Sequence, residues 1–338
     1  MLKAKSVICH EFGKPEDVLY VVNRRVNPPA EGEVLVRMLL SPINPSDLIP
    51  VRGSYSHRIS LPMVPGYEGV GVVEEVGPSV SQNLLGKRVL PLRGDGTWQD
   101  FVKVPSEWLV PIPPSINDQT AAQLYINPLT ALVICQEVLC LGSGDVLLMN
   151  AAGSAIGRIF AQLSMIFGFQ FIAVTRNSND TQELLQLGAA HVIDTSCSSL
   201  KESVMEITSG RGVSAAIDSI GGIEGTQLVD CLQPHGNYLA IGLLSGIPIQ
   251  WQEVSKRTAV NVKLFHLRHW NKQVSPYDWQ EKFHQIMNFV KEQRLKITMP
   301  EIYFDLLNVR EAVVEAESPN RKGKKVFLKM GHEDGSEK

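Results

Sequence analysis

The stretch DVLLMNAAGSAIGRIFAQLSMIFGFQFIAVTRNS, residues 145–178, constrains the fold more than any other part of the chain. A short apolar run meets a turn built from small residues. Apolar residues then recur at helical spacing, a glycine follows, and a second apolar run begins. The reading is strand, turn, helix, strand. The same alternation continues downstream: TQELLQLGA and SLKESVMEITSG read as helices, HVIDT and SAAIDSI as strands, GTQLVDCLQPHG as a helix and NYLAIGLL as a strand. Alternation of this length implies a parallel, doubly wound sheet.

The first 120 residues have a different texture. EVLVRMLL, GVGVVEEVG and KRVLPL are short apolar or alternating runs, separated by NPPAEGE, SPINPSD and LPMVPG. Proline- and glycine-rich turns between short strands suggest a sheet-rich, partly barrel-like domain. DQTAAQLYINPLTALVICQEVLCL reads as one helix with Asp118 as its cap. After about residue 265 the alternation ends; WQEKFHQIMNFVKEQRL reads as an amphipathic helix, KKVFLKM as a terminal strand and GHEDGSEK as a disordered tail. The expected organisation is a nucleotide domain, 123–270, inserted in a β-rich domain formed by 1–122 and 271–338.

Composition narrows the function. A chain of 338 residues suits about two domains. The net charge is −3 and no long basic run occurs, which disfavours nucleic acid and anionic membrane surfaces as partners. No basic-then-apolar leader and no membrane-spanning stretch is evident, so the expected location is cytoplasmic. The five cysteines are odd in number and form no C-x-x-C pair, which argues against a disulfide framework.

The turn Ala152-Gly153-Ser154-Ala155-Ile156-Gly157 has the spacing G-x-G-x-x-G, with small residues at the first two glycine positions. Those positions need a tight turn and close backbone approach to a pyrophosphate; the third keeps helix and strand in contact. A helix starting near Ile156 would aim its first N–H groups at the phosphates. The second strand ends at Arg176-Asn177-Ser178. An NAD enzyme would place an acid here for the ribose 2′-hydroxyl, whereas arginine suits a 2′-phosphate. The expected cofactor is NADPH, held at Arg176 and Ser178. Gly221, Gly222 and Gly242 follow strands, at the sheet edge where cofactors bind.

A second glycine-rich stretch, GYEGVG at 66–71, leads into a strand-like run and not a helix, so it makes a poor phosphate loop. Here the chain resembles the medium-chain dehydrogenase/reductase superfamily. Zinc-using members carry histidine at the second position of a G-H-E-G segment; this chain has Tyr67. Their metal cysteine lies in an upstream loop; the matching SPINPSD has Asn44 and no cysteine. Residues 81–120, where a structural-zinc lobe would lie, contain neither Cys nor His. No metal is expected, because Glu68 alone cannot hold one, and His266 and His269 have no third ligand nearby.

INPSD (43–47), RGSY (52–55), LPMVPGYEG (61–69), GTW (96–98), NPLTA (127–131) and FHLRHW (265–270) resemble segments of the zinc-independent branch. It is similar to trans-2-enoyl thioester reductases of the mitochondrial type, and to NADPH:quinone oxidoreductases. His266 is a departure, since the enoyl reductases tend to have another aromatic there. The resemblance implies an α/β protein, a GroES-like β-rich catalytic domain plus a doubly wound parallel-sheet Rossmann domain. It implies Tyr55 as proton donor or substrate orienter, with Asn44, Asn127 and Thr130 near the nicotinamide ribose and carboxamide. Gly242 and Phe265 join the cofactor set, and Trp98 and Trp270 the substrate pocket. A homodimer through the sheet edge around NYLAIGLLSGIPIQW is also implied. Lys324 and Lys325 precede the last strand and read as a solvated face, with reach of one of them to the cofactor as the alternative. Three functions stay open: enoyl thioester reduction, quinone reduction, and non-catalytic NADPH binding.

Overall fold

The computed structural model describes residues 3–255, 259–318 and 324–331. The expected disordered tail lies, beyond Gly331, outside the described residues. The chain forms two compact units. One holds the chain up to Ile126, Ser275–Lys291 and the chain from Ile297; the other holds Asn127–Val274 and Glu292–Lys296.

The first unit is built on strands β1 (Lys3–Cys9), β2 (Leu19–Arg25), β3 (Glu33–Pro42), β4 (Val70–Val76), β5 (Arg88–Leu90), β6 (Phe101–Pro105) and β7 (Val110–Pro111). β1 and β2 pair with each other, antiparallel. β3 is the organising strand and pairs antiparallel with both β4 and β6. Its Val34, Val36 and Met38 meet Val73, Val102, Val104 and Trp98 in one core. Helix Pro45–Val51 follows β3, with Pro45 in its first turn, where a missing N–H costs nothing.

Residues 118–138 do not form one continuous α-helix. Asn117, not Asp118, caps the start, its side chain accepting the Thr120 N–H at 2.8 Å. Wide, π-type turns then occupy Tyr125–Leu129 and Ile134–Val138, either side of Thr130–Val133. Pro128 lies in the first of these. It has no N–H and its ring crowds the carbonyl one turn earlier, so the ordinary ladder cannot pass through it.

The second unit carries β8 (Val146–Met149), β9 (Gln170–Thr175), β10 (His191–Asp194), β11 (Val213–Asp218), β12 (Leu232–Ala240) and β13 (Asn261–Leu264). All run parallel in the order β10-β9-β8-β11-β12-β13. The order reverses between β8 and β11, which leaves a crevice outside their carboxyl ends. The helix Ala155–Phe167 buries Ile159, Phe160 and Leu163. The segment NYLAIGLL is not the sheet edge: β12 is flanked by β11 and β13. The edge is β13, whose four residues are all exposed. With no buried face, it has no alternating pattern to reveal it.

The chain then supplies β14 (Ile302–Asp305) and β15 (Val326–Lys329) to the β3 sheet. Lys324 is exposed and pairs with Glu301 at 2.6 Å, but Lys325 is buried. β15 sits between β14 and β3, and Lys325 immediately precedes it.

Candidate functional site

In the parallel-sheet unit the glycine-rich turn joins β8 to the helix Ala155–Phe167. Ser154 caps that helix, its Oγ accepting the Gly157 N–H at 3.3 Å. A Cβ on Gly157 would collide with the Ala152 carbonyl, so only glycine lets helix and turn approach this closely. Ala155 and Ile156 form the first helical turn and present the positive end of the helix.

The strand ends beside this turn are tied together by a buried polar pair that the sequence reading missed. Asn150 donates its side-chain N–H to Asp218 Oδ1 at 2.5 Å, and its own Oδ1 accepts the Ser219 N–H at 2.8 Å. Asp218 also accepts the N–H groups of Ile220 at 2.9 Å and Gly221 at 3.0 Å, and the Tyr238 hydroxyl. β8 and β11 are thereby locked at their carboxyl ends. The available signal was a polar residue closing each apolar run, Asn150 after VLLM and Asp218 in VSAAID.

Whether this edge suits a dinucleotide can be judged from its unmet polar groups. Thr175 Oγ1, ending β9, and Ser219 Oγ, just past β11, are buried and have no hydrogen-bond partner among the described residues. They flank the strand that carries the turn. Buried hydroxyls are ordinarily paired, so two orphans at one sheet edge fit a polar ligand. Arg176 and Ser178 follow, both exposed. Gly242 is exposed, and a Cβ there would press on the Ser219 carbonyl oxygen at 2.9 Å. The residues present fit a phosphate-bearing cofactor.

Further expected site residues lie in the same unit. Asn127 and Thr130 are half-buried, on the first wide turn and the helix after it. Phe265 is half-buried just beyond β13, its N–H donating to the Ala240 carbonyl at 2.9 Å. Trp270 donates its indole N–H to Glu137 at 2.8 Å. His266 caps the helix Leu267–Gln273, and its ring lies 5.6 Å from that of His269.

In the β-rich unit, Asn44, Tyr55, Glu68 and Trp98 fall into two groups. Asn44 and Glu68 belong to a buried polar cluster with Asp47 and Lys325. Asn44 donates its amide to Glu68 Oε1 at 2.8 Å, and its Oδ1 accepts from the Lys325 ammonium. Glu68 Oε2 accepts the N–H groups of Tyr125 at 3.2 Å and Ile126 at 2.8 Å. Asp47 accepts the N–H groups of Asn44 at 2.7 Å and Tyr67 at 2.9 Å. Burial pushes Asp47 up to about 7, despite these bonds. Burial also raises Glu68, with the Lys325 charge and its hydrogen bonds pulling the other way. Lys325 thus supplies positive charge to a pocket with two buried acids.

Tyr55 lies outside this cluster, half-buried on an exposed turn. The N–H groups of Arg58 and Ile59 close that turn on the Tyr55 carbonyl at 3.0 and 3.1 Å. The Arg58 guanidinium consequently covers the phenol ring, 3.7 Å from its centroid. Trp98 is fully buried in the core of the β-rich unit, and its Nε1 has no partner among the described residues. Gly66, at φ +95°, passes directly over this indole, where any side chain would collide.

The donor set around GYEG does not fit zinc. Neither thiolate nor imidazole is present, and both Glu68 oxygens already accept hydrogen bonds. Among the described residues no group of three His, Cys, Asp or Glu is placed to hold a metal ion. No described helix is long and apolar enough to cross a membrane.

Comparison with known proteins agrees with this architecture. The family model for the alcohol dehydrogenase GroES-like domain matches residues 30–114, and that for zinc-binding dehydrogenase matches 155–292. The mitochondrial enoyl-[acyl-carrier-protein] reductase of Xenopus tropicalis is 30% identical, over 97% of this chain and 96% of its own. A Bacillus thuringiensis structure, solved under the provisional name NADPH:quinone reductase, is 55% identical with a TM-score of 0.96, over 97% of this chain and 99% of that one. Escherichia coli quinone oxidoreductase, solved with NADPH, shares the fold at 23% identity and a TM-score of 0.87, over 96% of this chain and 99% of that one. With its GroES-like β-rich domain and its doubly wound parallel sheet, the chain belongs to the medium-chain dehydrogenase/reductase superfamily of oxidoreductases.

Proposed function

We propose that the chain is an NADPH-dependent, zinc-independent reductase of conjugated carbonyl compounds, with trans-2-enoyl thioesters of CoA or acyl-carrier protein as its substrate class. The observation that supports it best is the Tyr55 phenol, half-exposed and held under Arg58, in a chain matching an enoyl reductase along 97% of its length. When bound, the reduced nicotinamide supplies hydride for the β-carbon. Ala152, Ser154, Ala155, Ile156 and Gly157 hold the pyrophosphate, while Arg176 and Ser178 hold the 2′-phosphate. Asn127, Thr130, Gly242, Phe265 and Asn44 orient the nicotinamide half, with Asn44 fixed by Glu68 and Lys325. Reduction leaves negative charge on the thioester oxygen and α-carbon. The Tyr55 hydroxyl stabilises that enolate or helps deliver a proton to it. Trp270 walls the substrate pocket, and Trp98 supports the GYEG segment from the core.

Quinone reduction is the second reading, favoured by the 55% identity to the Bacillus thuringiensis protein. NADPH oxidation by the pure protein, with crotonyl-CoA, decenoyl-CoA and a quinone in parallel, separates the two. Rapid enoyl turnover supports the thioester reading. Turnover with quinone alone moves the chain to the quinone branch. Tight NADPH binding with no turnover makes it a non-catalytic NADPH-binding protein.

The proposal includes a homodimer and a cytoplasmic location. Among the described residues β13 pairs with β12 alone, and Val262 and Leu264 are exposed; such an edge calls for cover by a second copy.

A further inference from the structure

We infer that Arg158 is a specificity-determining residue of the cofactor site, neutralising two carboxylates so that the 2′-phosphate of NADPH can approach. The inference rests on the NADPH reading above. Asp180 follows Ser178 by two residues, within about 7 Å along the backbone. In space it returns to the glycine-rich turn, since a Cβ on Gly153 would strike its Oδ2. An acid is therefore present at this edge, although none occupies the sequence position where an NAD enzyme would carry one.

Arg158, in the first turn of the helix Ala155–Phe167, answers that acid. Its Nη2 lies 3.0 Å from Asp180 Oδ1 and 2.8 Å from Glu183 Oε2, and its Nε donates to Glu183 Oε1 at 2.8 Å. Its Nη1 donates to the Gly153 carbonyl of the turn itself. The guanidinium thus pins the Ser178–Asp180 turn and the helix Thr181–Leu187 to the phosphate turn, in a fork that lysine cannot reproduce. The Arg158 hydrogen bond holds Glu183 below the usual carboxylate range, so that acid stays ionised. Without Arg158, two uncompensated carboxylates would face a dianionic 2′-phosphate.

The test is calorimetric binding of 2′,5′-ADP and 5′-AMP at low salt. Wild type should prefer 2′,5′-ADP. Arg158→Gln should weaken 2′,5′-ADP about tenfold or more, and 5′-AMP about threefold or less. The triple variant Arg158→Gln/Asp180→Asn/Glu183→Gln should regain the wild-type preference, which a merely structural role would not predict. Equal weakening of both ligands by Arg158→Gln, or no recovery in the triple variant, overturns the inference. If Arg158→Gln does not fold, Asp180→Asn/Glu183→Gln decides: 2′,5′-ADP binding as tight as wild type supports the inference, and weaker binding overturns it. A wild-type chain that shows no preference for 2′,5′-ADP overturns the NADPH reading and this inference together. A preference that survives Arg158→Gln overturns only the latter.

Discussion

Glu68 accepts the backbone N–H of Ile126 at 2.8 Å, so a buried carboxylate grips the chain one residue before Asn127. The same oxygen takes the Tyr125 N–H, and the other takes the Asn44 amide. Glu68→Gln keeps the size but offers one acceptor oxygen for these donors. It should lower stability by about 2–3 kcal/mol, read from urea unfolding. Lys325→Met removes the cation facing two buried acids and should cost about 3–5 kcal/mol. Unchanged urea midpoints for both variants would show that the cluster contributes nothing to folding.

Stability should also depend on pH through Asp47. Burial holds this carboxyl at about 7, whereas an unfolded chain releases the proton near 3.9. Between those values the folded chain binds the extra proton. The contribution is full below about pH 4 and is lost as pH rises towards 7, by about 4 kcal/mol at most. Urea midpoints across this range should fall with rising pH from this group, and Asp47→Asn should flatten the slope. An identical slope in the variant would assign it to other residues.

Tyr55→Phe removes one hydroxyl. If that hydroxyl meets the enolate, enoyl-CoA turnover should fall by about a hundredfold. Quinone turnover should change little, because solvent can protonate a phenolate product. Arg58→Met should cost a smaller factor, about fivefold, through loss of the ring contact. Equal losses by Tyr55→Phe on both substrates would remove Tyr55 from the proton step.

Arg176→Ala should raise the NADPH Kd by roughly ten- to a hundredfold and leave NADH nearly unchanged, measured by nucleotide fluorescence. Equal changes for the two cofactors would place Arg176 away from the 2′-phosphate.

Leu264→Lys puts a charge on the β13 edge. If two copies meet there, light scattering should show a dimer for wild type and a monomer for the variant. A wild-type monomer ends the proposal at once.

What could be read from the sequence was local. The unit Val146–Thr175 declares itself because strand, turn, helix and strand are contiguous and each carries its own period. The close packing that requires glycine at 157 was legible for the same reason. The acid cluster was not, because Lys325 meets Asn44 across 281 positions. Lys325, one residue from the exposed Lys324, carries no local sign of burial. The edge strand β13 escaped because NVKL becomes a strand only by pairing with β12. Asp180 carries no local sign of its place either, because only the fold brings it back to Gly153.

The tryptophans give the two units separate optical reporters. Trp98, sealed beneath Gly66, should emit at short wavelength and resist acrylamide until the β-rich unit opens. Trp108 of the β-rich unit is half-buried too; once Trp108→Phe removes it, Trp251 and Trp270 of the parallel-sheet unit are the half-buried indoles left, so a quencher should reach them first. A quencher-resolved melting curve can therefore show whether the nucleotide half of the protein unfolds before the half that carries the phenol.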